Sequence, residues 1–159
     1  MDGDVRQLLV IIDQAYDKKS WHGTNLRGSI RGLSAAQAAW RPAPARHNIW
    51  EIVVHAAYWK YAVTRRFSAA PRGSFPLKGS NWFKRPDGAR NESAWRADVS
   101  LLESIHRGLR REVARLGSSD LKTTPARSKV ANFDLIAGIA AHDLYHAGQI
   151  QLLKKLRTT

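Results

Sequence analysis

Trp95-x-x-x-Val99-x-x-Leu102-x-x-x-His106-x-x-Leu109-x-x-x-Val113-x-x-Leu116 spaces its large side chains alternately four and three apart. That rhythm sets one side chain per turn on a single stripe, the seam of a helical bundle. Asn91 precedes the run as its cap, and Gly117-Ser118-Ser119 ends it. Immediately upstream, across residues 68–90, the periodicity stops. Pro71, Gly73, Pro76, Gly79, Pro86 and Gly88 punctuate this stretch, which reads as a long connection carrying Phe75, Trp82 and Phe83. Connections of such length in compact domains are often functional, or laid across the body as a lid.

Further upstream, Asn48-Ile49-Trp50-Glu51 is a cap with an acid three residues on, and it opens a second long helix. Ile49, Ile52, Val53, Ala56, Val63 and Phe67 repeat at three and four, while Trp50, Val54, Tyr58 and Tyr61 thicken the opposite side. A helix apolar on both sides is expected to be buried on more than one face. Residues 4–19 give the first helix, with Val5, Leu8, Leu9, Ile12 and Tyr16 on one side. Leu26, Ile30 and Leu33 form an amphipathic piece that extends this element after a bend. Ser34-Ala35-Ala36-Gln37 opens a short helical turn closed before Pro42. The last helix covers residues 132–156. With no alternating strand pattern, the expectation is all-α: one domain over residues 1–159, a four-helix bundle with a long crossover between its second and third helices.

Composition narrows the function. A length of 159 residues, 43% apolar with six tryptophans, suits one folded domain. The absence of cysteine excludes disulfides, thiolate ligands and a cysteine nucleophile. No apolar run approaches a membrane span, and Met1-Asp2-Gly3-Asp4 lacks the start of a secretory signal, so a cytoplasmic protein is expected. A net charge of +13 raises nucleic acid as a partner. The basic residues are scattered in pairs such as Arg65-Arg66 and Arg110-Arg111, without a basic run or a known recognition pattern. Loose, salt-sensitive phosphate attraction is therefore expected, and no specific nucleic acid.

The chemistry concentrates in the last helix. His142 and His146 stand about one turn apart on a stripe shared with Leu135, Ile139, Ile150 and Leu153. Two imidazoles on a face that a helix should bury need compensation, and a shared metal ion supplies it. Two core histidines bonded across the bundle are the plainer alternative. His142-Asp143-Leu144-Tyr145-His146 also resembles the zinc-protease pattern His-Glu-x-x-His, but no His, Asp or Glu follows His146 to complete it. A third ligand must come from upstream. His55 on the second helix is the first candidate, and His106 on the third-helix seam is the second. His22 and His47 sit in loops that border either end. Asp143 and Gln149 are placed to orient a ligand ring, or equally to form a surface ion pair and a polar seam position. Imidazoles without thiolate suit zinc, nickel, iron(II) or cobalt rather than magnesium or calcium, and three protein ligands leave a position open, the pattern of a catalytic site.

The helix opened by Asn48-Ile49-Trp50-Glu51-Ile52-Val53-Val54-His55, the long connection and the closing Ala141-His142-Asp143-Leu144-Tyr145-His146-Ala147-Gly148-Gln149-Ile150 resemble the DinB-like (damage-inducible, YfiT-type) four-helix metalloproteins. The resemblance covers nearly the whole chain. It implies that His55, His142 and His146 bind a divalent metal, commonly zinc or nickel, and that the protein is a homodimer. Relatives of that kind include thiol-dependent S-transferases and isomerases using bacillithiol or mycothiol, which implies a small-molecule substrate. Arg65 and Arg66 would be candidates to meet the carboxylates of such a thiol, against the plainer reading of a solvated helix end. Two functional readings stand: a metal-dependent enzyme of hydrolase or S-transferase type, and a non-catalytic metal-binding, stress-response dimer pinned by its ion.

Overall fold

The computed structural model describes residues 2–68, 73–85, 91–126 and 128–158, all helix and connection with no strand among them. Pro71, Pro86 and Gly88 of the expected connection lie outside the described residues. Four long helices carry the architecture: α1 (Gly3–Tyr16), α4 (Ile49–Phe67), α5 (Glu92–Ala114) and α7 (Asn132–Thr158). Three short ones intervene: α2 (Leu26–Ser29), α3 (Ala35–Ala39) and α6 (Ser118–Leu121). The long helices pack in a ring, α4 against α5 and α7, and α1 against α7 and α5.

The local signals act where the sequence puts them. The Asn48 side chain accepts from Glu51 N–H at 2.8 Å, and Glu51 reaches back to Asn48 N–H at 3.4 Å, closing the capping box of α4. Ser34 and Gln37 do the same for α3, at 3.2 and 2.9 Å. Asn91 caps α5 by accepting from Ala94 N–H at 3.0 Å. Eleven residues of α4 are buried, on both of its sides, as its two apolar faces require.

Two details depart from the expectation. The first helix ends at Tyr16, where Asp17 and Lys18 both donate to the Asp13 carbonyl. The Leu26 piece is a separate turn, α2, because Asn25 starts a new helix. Its side-chain oxygen accepts from Gly28 N–H at 2.8 Å while its Nδ2 donates to Lys18 O at 2.9 Å. After Gly117 the chain turns once more as α6, whose Asp120 carboxylate accepts from Gly117 N–H at 2.8 Å.

The core falls into two apolar clusters. One gathers Tyr16, Trp50, Trp95, Leu102 and Ile150; the other gathers Leu8, Ile12, Val63, Leu109 and Ile136. Along α4, α5 and α7 alike, the residue at the boundary is polar and buried: Lys60, His106 and Asp143. A polar layer thus crosses the bundle at mid-height, and the three histidines of interest stand beside it.

The described part of the connection lies on α4. Tyr58 meets Phe75 and Phe83 at ring separations of 5.4 and 5.5 Å, and Tyr61 Oη donates to Gly73 O at 2.5 Å. Trp59 Nε1 donates to Asn81 Oδ1 at 2.9 Å. The segment is held over the helix that carries His55.

Candidate metal centre

α4 supplies His55 and α7 supplies His142 and His146, one turn apart. His142 Nε2 stands 3.1 Å from His55 Nε2 and 3.0 Å from His146 Nε2, and the three ligand atoms all lie within 4.8 Å of one another. His55 and His146 are buried and His142 is half-buried. These three form a group that can hold a metal ion.

The neighbours decide which nitrogen faces inward. Asn81 O lies 2.8 Å from His55 Nδ1, and a carbonyl only accepts, so that nitrogen carries the proton and Nε2 is bare. Gln149 Oε1, 2.7 Å from His146 Nδ1, fixes the same tautomer there. Two bare nitrogens thus face a third at 3.0 and 3.1 Å, with at most one N–H to share among the three. His142 Nδ1 is buried without a hydrogen-bond partner.

A cation suits this arrangement. Nitrogens held about 2.0–2.1 Å from a metal stand about 3.3 Å apart in a tetrahedron and about 2.9 Å apart at right angles. The 3.0 and 3.1 Å separations fall between those limits. Burial pushes all three imidazoles toward the neutral, ligating form. His142 falls to about 3, through burial and then the neighbouring His146, His55 and Lys60; His146 falls to about 4, mainly through burial. His55 is lowered as well, again chiefly by burial, against the Asn81 hydrogen bond.

Around the triad the structure sorts the other candidates. Gln149 orients the His146 ring. Asp143 is no surface residue: it is fully buried and takes a short, direct hydrogen bond from Lys60 Nζ across from α4, both side chains essentially without exposure. Burial pushes the Asp143 carboxyl up, and the Lys60 ammonium opposes that shift. His106 stays apart from the triad. It is buried and stacks on Tyr16 at 3.6 Å, its Nδ1 unpartnered, and burial together with the Lys60 charge holds it near 2. His47 lies flat against Trp82 at 3.6 Å and bonds Glu51 at 3.1 Å, while His22 is exposed. Arg65 lies over Tyr61, 5.3 Å from its ring, and sits ten residues beyond His55, roughly 15 Å along α4.

Sequence reasoning passed over Lys60 and Asn81. Lys60 occupies the seam position skipped in the run Ile49, Val53, Ala56, Val63, Phe67, so a charge on the buried stripe was its signal. Asn81 acts through its backbone carbonyl, which leaves no trace in residue type. Its neighbour Trp82, noted only as a loop aromatic, stacks on His55 at 3.9 Å.

The family model of the DinB superfamily matches residues 20–150. This chain belongs to the DinB superfamily. No curated protein and no solved structure matches it. The DinB match spans the helix bearing His55 and the His142–His146 turn, so the whole triad falls inside it. No helix among the described residues is long and apolar enough to cross a membrane.

Proposed function

We propose that this DinB chain is a metal-dependent enzyme, of hydrolase or thiol S-transferase type, acting on a small molecule. His55, His142 and His146 hold a divalent ion, zinc or nickel, through Nε2. The observation that carries the reading is the pair of bare Nε2 atoms whose tautomers Asn81 and Gln149 set, both aimed at a third imidazole. When bound, such an ion supplies Lewis acidity toward water or a substrate thiol, and three protein ligands leave a position for either.

The chain's own residues do the rest. Asn81 and Gln149 keep two rings from rotating. The Lys60–Asp143 pair ties α4 to α7, and with them His55 to the other two ligands. Trp82 and Trp59 pack against His55 and exclude water from that side. In this reading residues 1–159 act as one cytoplasmic domain that pairs as a homodimer.

A structural ion is the second reading. It draws support from Trp82 lying flat on His55 at 3.9 Å, which covers that ring. One experiment separates the two: metal-loaded protein is assayed for conjugation of thiols with electrophiles and for ester hydrolysis, before and after chelation. Turnover that chelation abolishes is expected. Inactivity throughout, with a large fall in thermal stability on chelation, refutes the enzyme.

A further inference from the structure

Two clefts meet at Trp82, beside the triad. One, of about 480 Å³, is walled by Arg41, Arg46, Lys84 and Arg85. The other, of about 420 Å³, is walled by Ile52, Leu152, Leu153 and Leu156 with Gln149. Arg46, His47 and Trp82 line both. Each cleft stands one residue away from a histidine of the triad. Trp82 stacks on His55 at 3.9 Å, and Gln149 accepts from His146 at 2.7 Å.

The charges in the first cleft do not balance. Glu51 already takes both ends of the Arg41 guanidinium, at 2.6 and 2.9 Å, together with His47. Hydrogen bonds from Arg41 and His47 hold its carboxyl below the usual range in spite of burial. Asp98 takes Arg85 at 2.7 Å. Arg46 and Lys84 remain, both exposed and without an acidic partner among the described residues.

The backbone holds this corner in an uncommon shape. Ala45, next to Arg46, has φ +61°, and Asn81, next to Trp82, has φ +63°. Among the described residues these are the non-glycine residues in the left-handed region. An alanine has no side-chain hydrogen bond to support that conformation. Strain of this kind persists where surrounding contacts over-determine the chain, and it gathers at ligand sites. Here Arg41 donates to Arg46 O at 2.5 Å and locks the turn that presents Arg46.

We infer that the joined clefts bind an amphipathic organic anion, its carboxylate on Arg46 and Lys84 and its apolar body along Leu152, Leu153 and Leu156 on α7. Two cations without acids among the described residues supply charge-assisted hydrogen bonds to a carboxylate. The indole of Trp82 and the leucines supply apolar surface in a volume suited to a small ligand. The inference rests on the metal-centre reading for what the anchored molecule would present to the triad; the binding itself does not.

The test uses 4-phenylbutyrate as probe and 4-phenylbutyramide as its neutral counterpart, titrated calorimetrically into the full chain, with the indole N–H signal of Trp82 followed by NMR. The carboxylate is expected to bind and shift Trp82. Arg46→Gln with Lys84→Gln should weaken it at least about tenfold, whereas Arg107→Gln with Arg111→Gln, an equal loss of charge elsewhere, should not. Equal affinity for the amide, for inorganic phosphate or in the Arg46→Gln/Lys84→Gln protein overturns the inference. Probe binding retained in His142→Ala upholds it even where metal binding fails. Stoichiometric metal in wild type with no probe bound sinks this inference and leaves the metal centre standing.

Discussion

Replacing Lys60 by Met tests the polar layer that crosses the bundle. The Lys60 and Asp143 side chains are 0% and 1% exposed, and each is the other's partner. Truncating the lysine leaves a carboxylate in the core with its second oxygen already unpartnered. Breaking one half of such a pair costs about 3–5 kcal/mol, because a buried charge loses its compensation. For a chain of this size about 2–4 °C accompanies each kcal/mol, so melting should fall by roughly 6–20 °C. Asp143→Leu alone should cost a similar amount. The double variant Lys60→Met/Asp143→Leu removes both charges and keeps comparable volume, so it should return to within about 1 kcal/mol of wild type. Urea unfolding of the metal-free proteins, followed by circular dichroism, gives all four corners of the cycle. Single variants within about 1 kcal/mol of wild type, or a double variant that costs the sum of the two, would refute the buried-pair argument. Chelator competition on the same proteins reads the second consequence. If the pair registers α4 against α7, the single variants should also bind metal more weakly.

His142→Ala and His146→Ala should lose stoichiometric metal and His55→Ala should bind it far more weakly, while His106→Ala keeps it; metal analysis of protein prepared without a nickel column decides this. Gln149→Leu removes the acceptor of His146 Nδ1 and should weaken metal binding about 10–100-fold with the fold intact, read by chelator competition. His106 has an acid-side signature. Its folded value near 2 lies below the ordinary 6.5, so between those values the unfolded chain binds the extra proton and stability falls as pH falls. His106→Phe, which keeps the ring on Tyr16, should lose less stability than wild type from pH 6.5 down to 4.5, by up to about 1.4 kcal/mol per pH unit. A flat difference between the two proteins over that range would show that His106 does not titrate as its burial demands.

Much of this protein was determined locally. Caps and capping boxes at Ser34, Asn48 and Asn91 lie within four residues of the groups they satisfy, so they are legible in the chain and appear in the fold. The seam of α5 follows from spacing alone, with Trp95, Leu102, His106, Leu109 and Val113 buried as the rhythm requires. The one-turn separation of His142 and His146 is also a property of helix geometry, and it marks the turn where chemistry gathers.

What tertiary structure decided is whatever joins distant parts of the chain. The meeting of His55 with His142, 87 residues apart, depends on α4 packing against α7. So does the union of Lys60 with Asp143, which turned a residue open to a surface reading into a buried ion. The Asn81 carbonyl and the flat stack of Trp82 on His55 come from a connection without periodicity, where backbone groups and ring orientation answer to the surface they land on. Local spacing encodes which face a side chain takes, because the helix repeats every few residues. Partners across the bundle, and with them tautomer, burial and charge state, are set only when the helices come together.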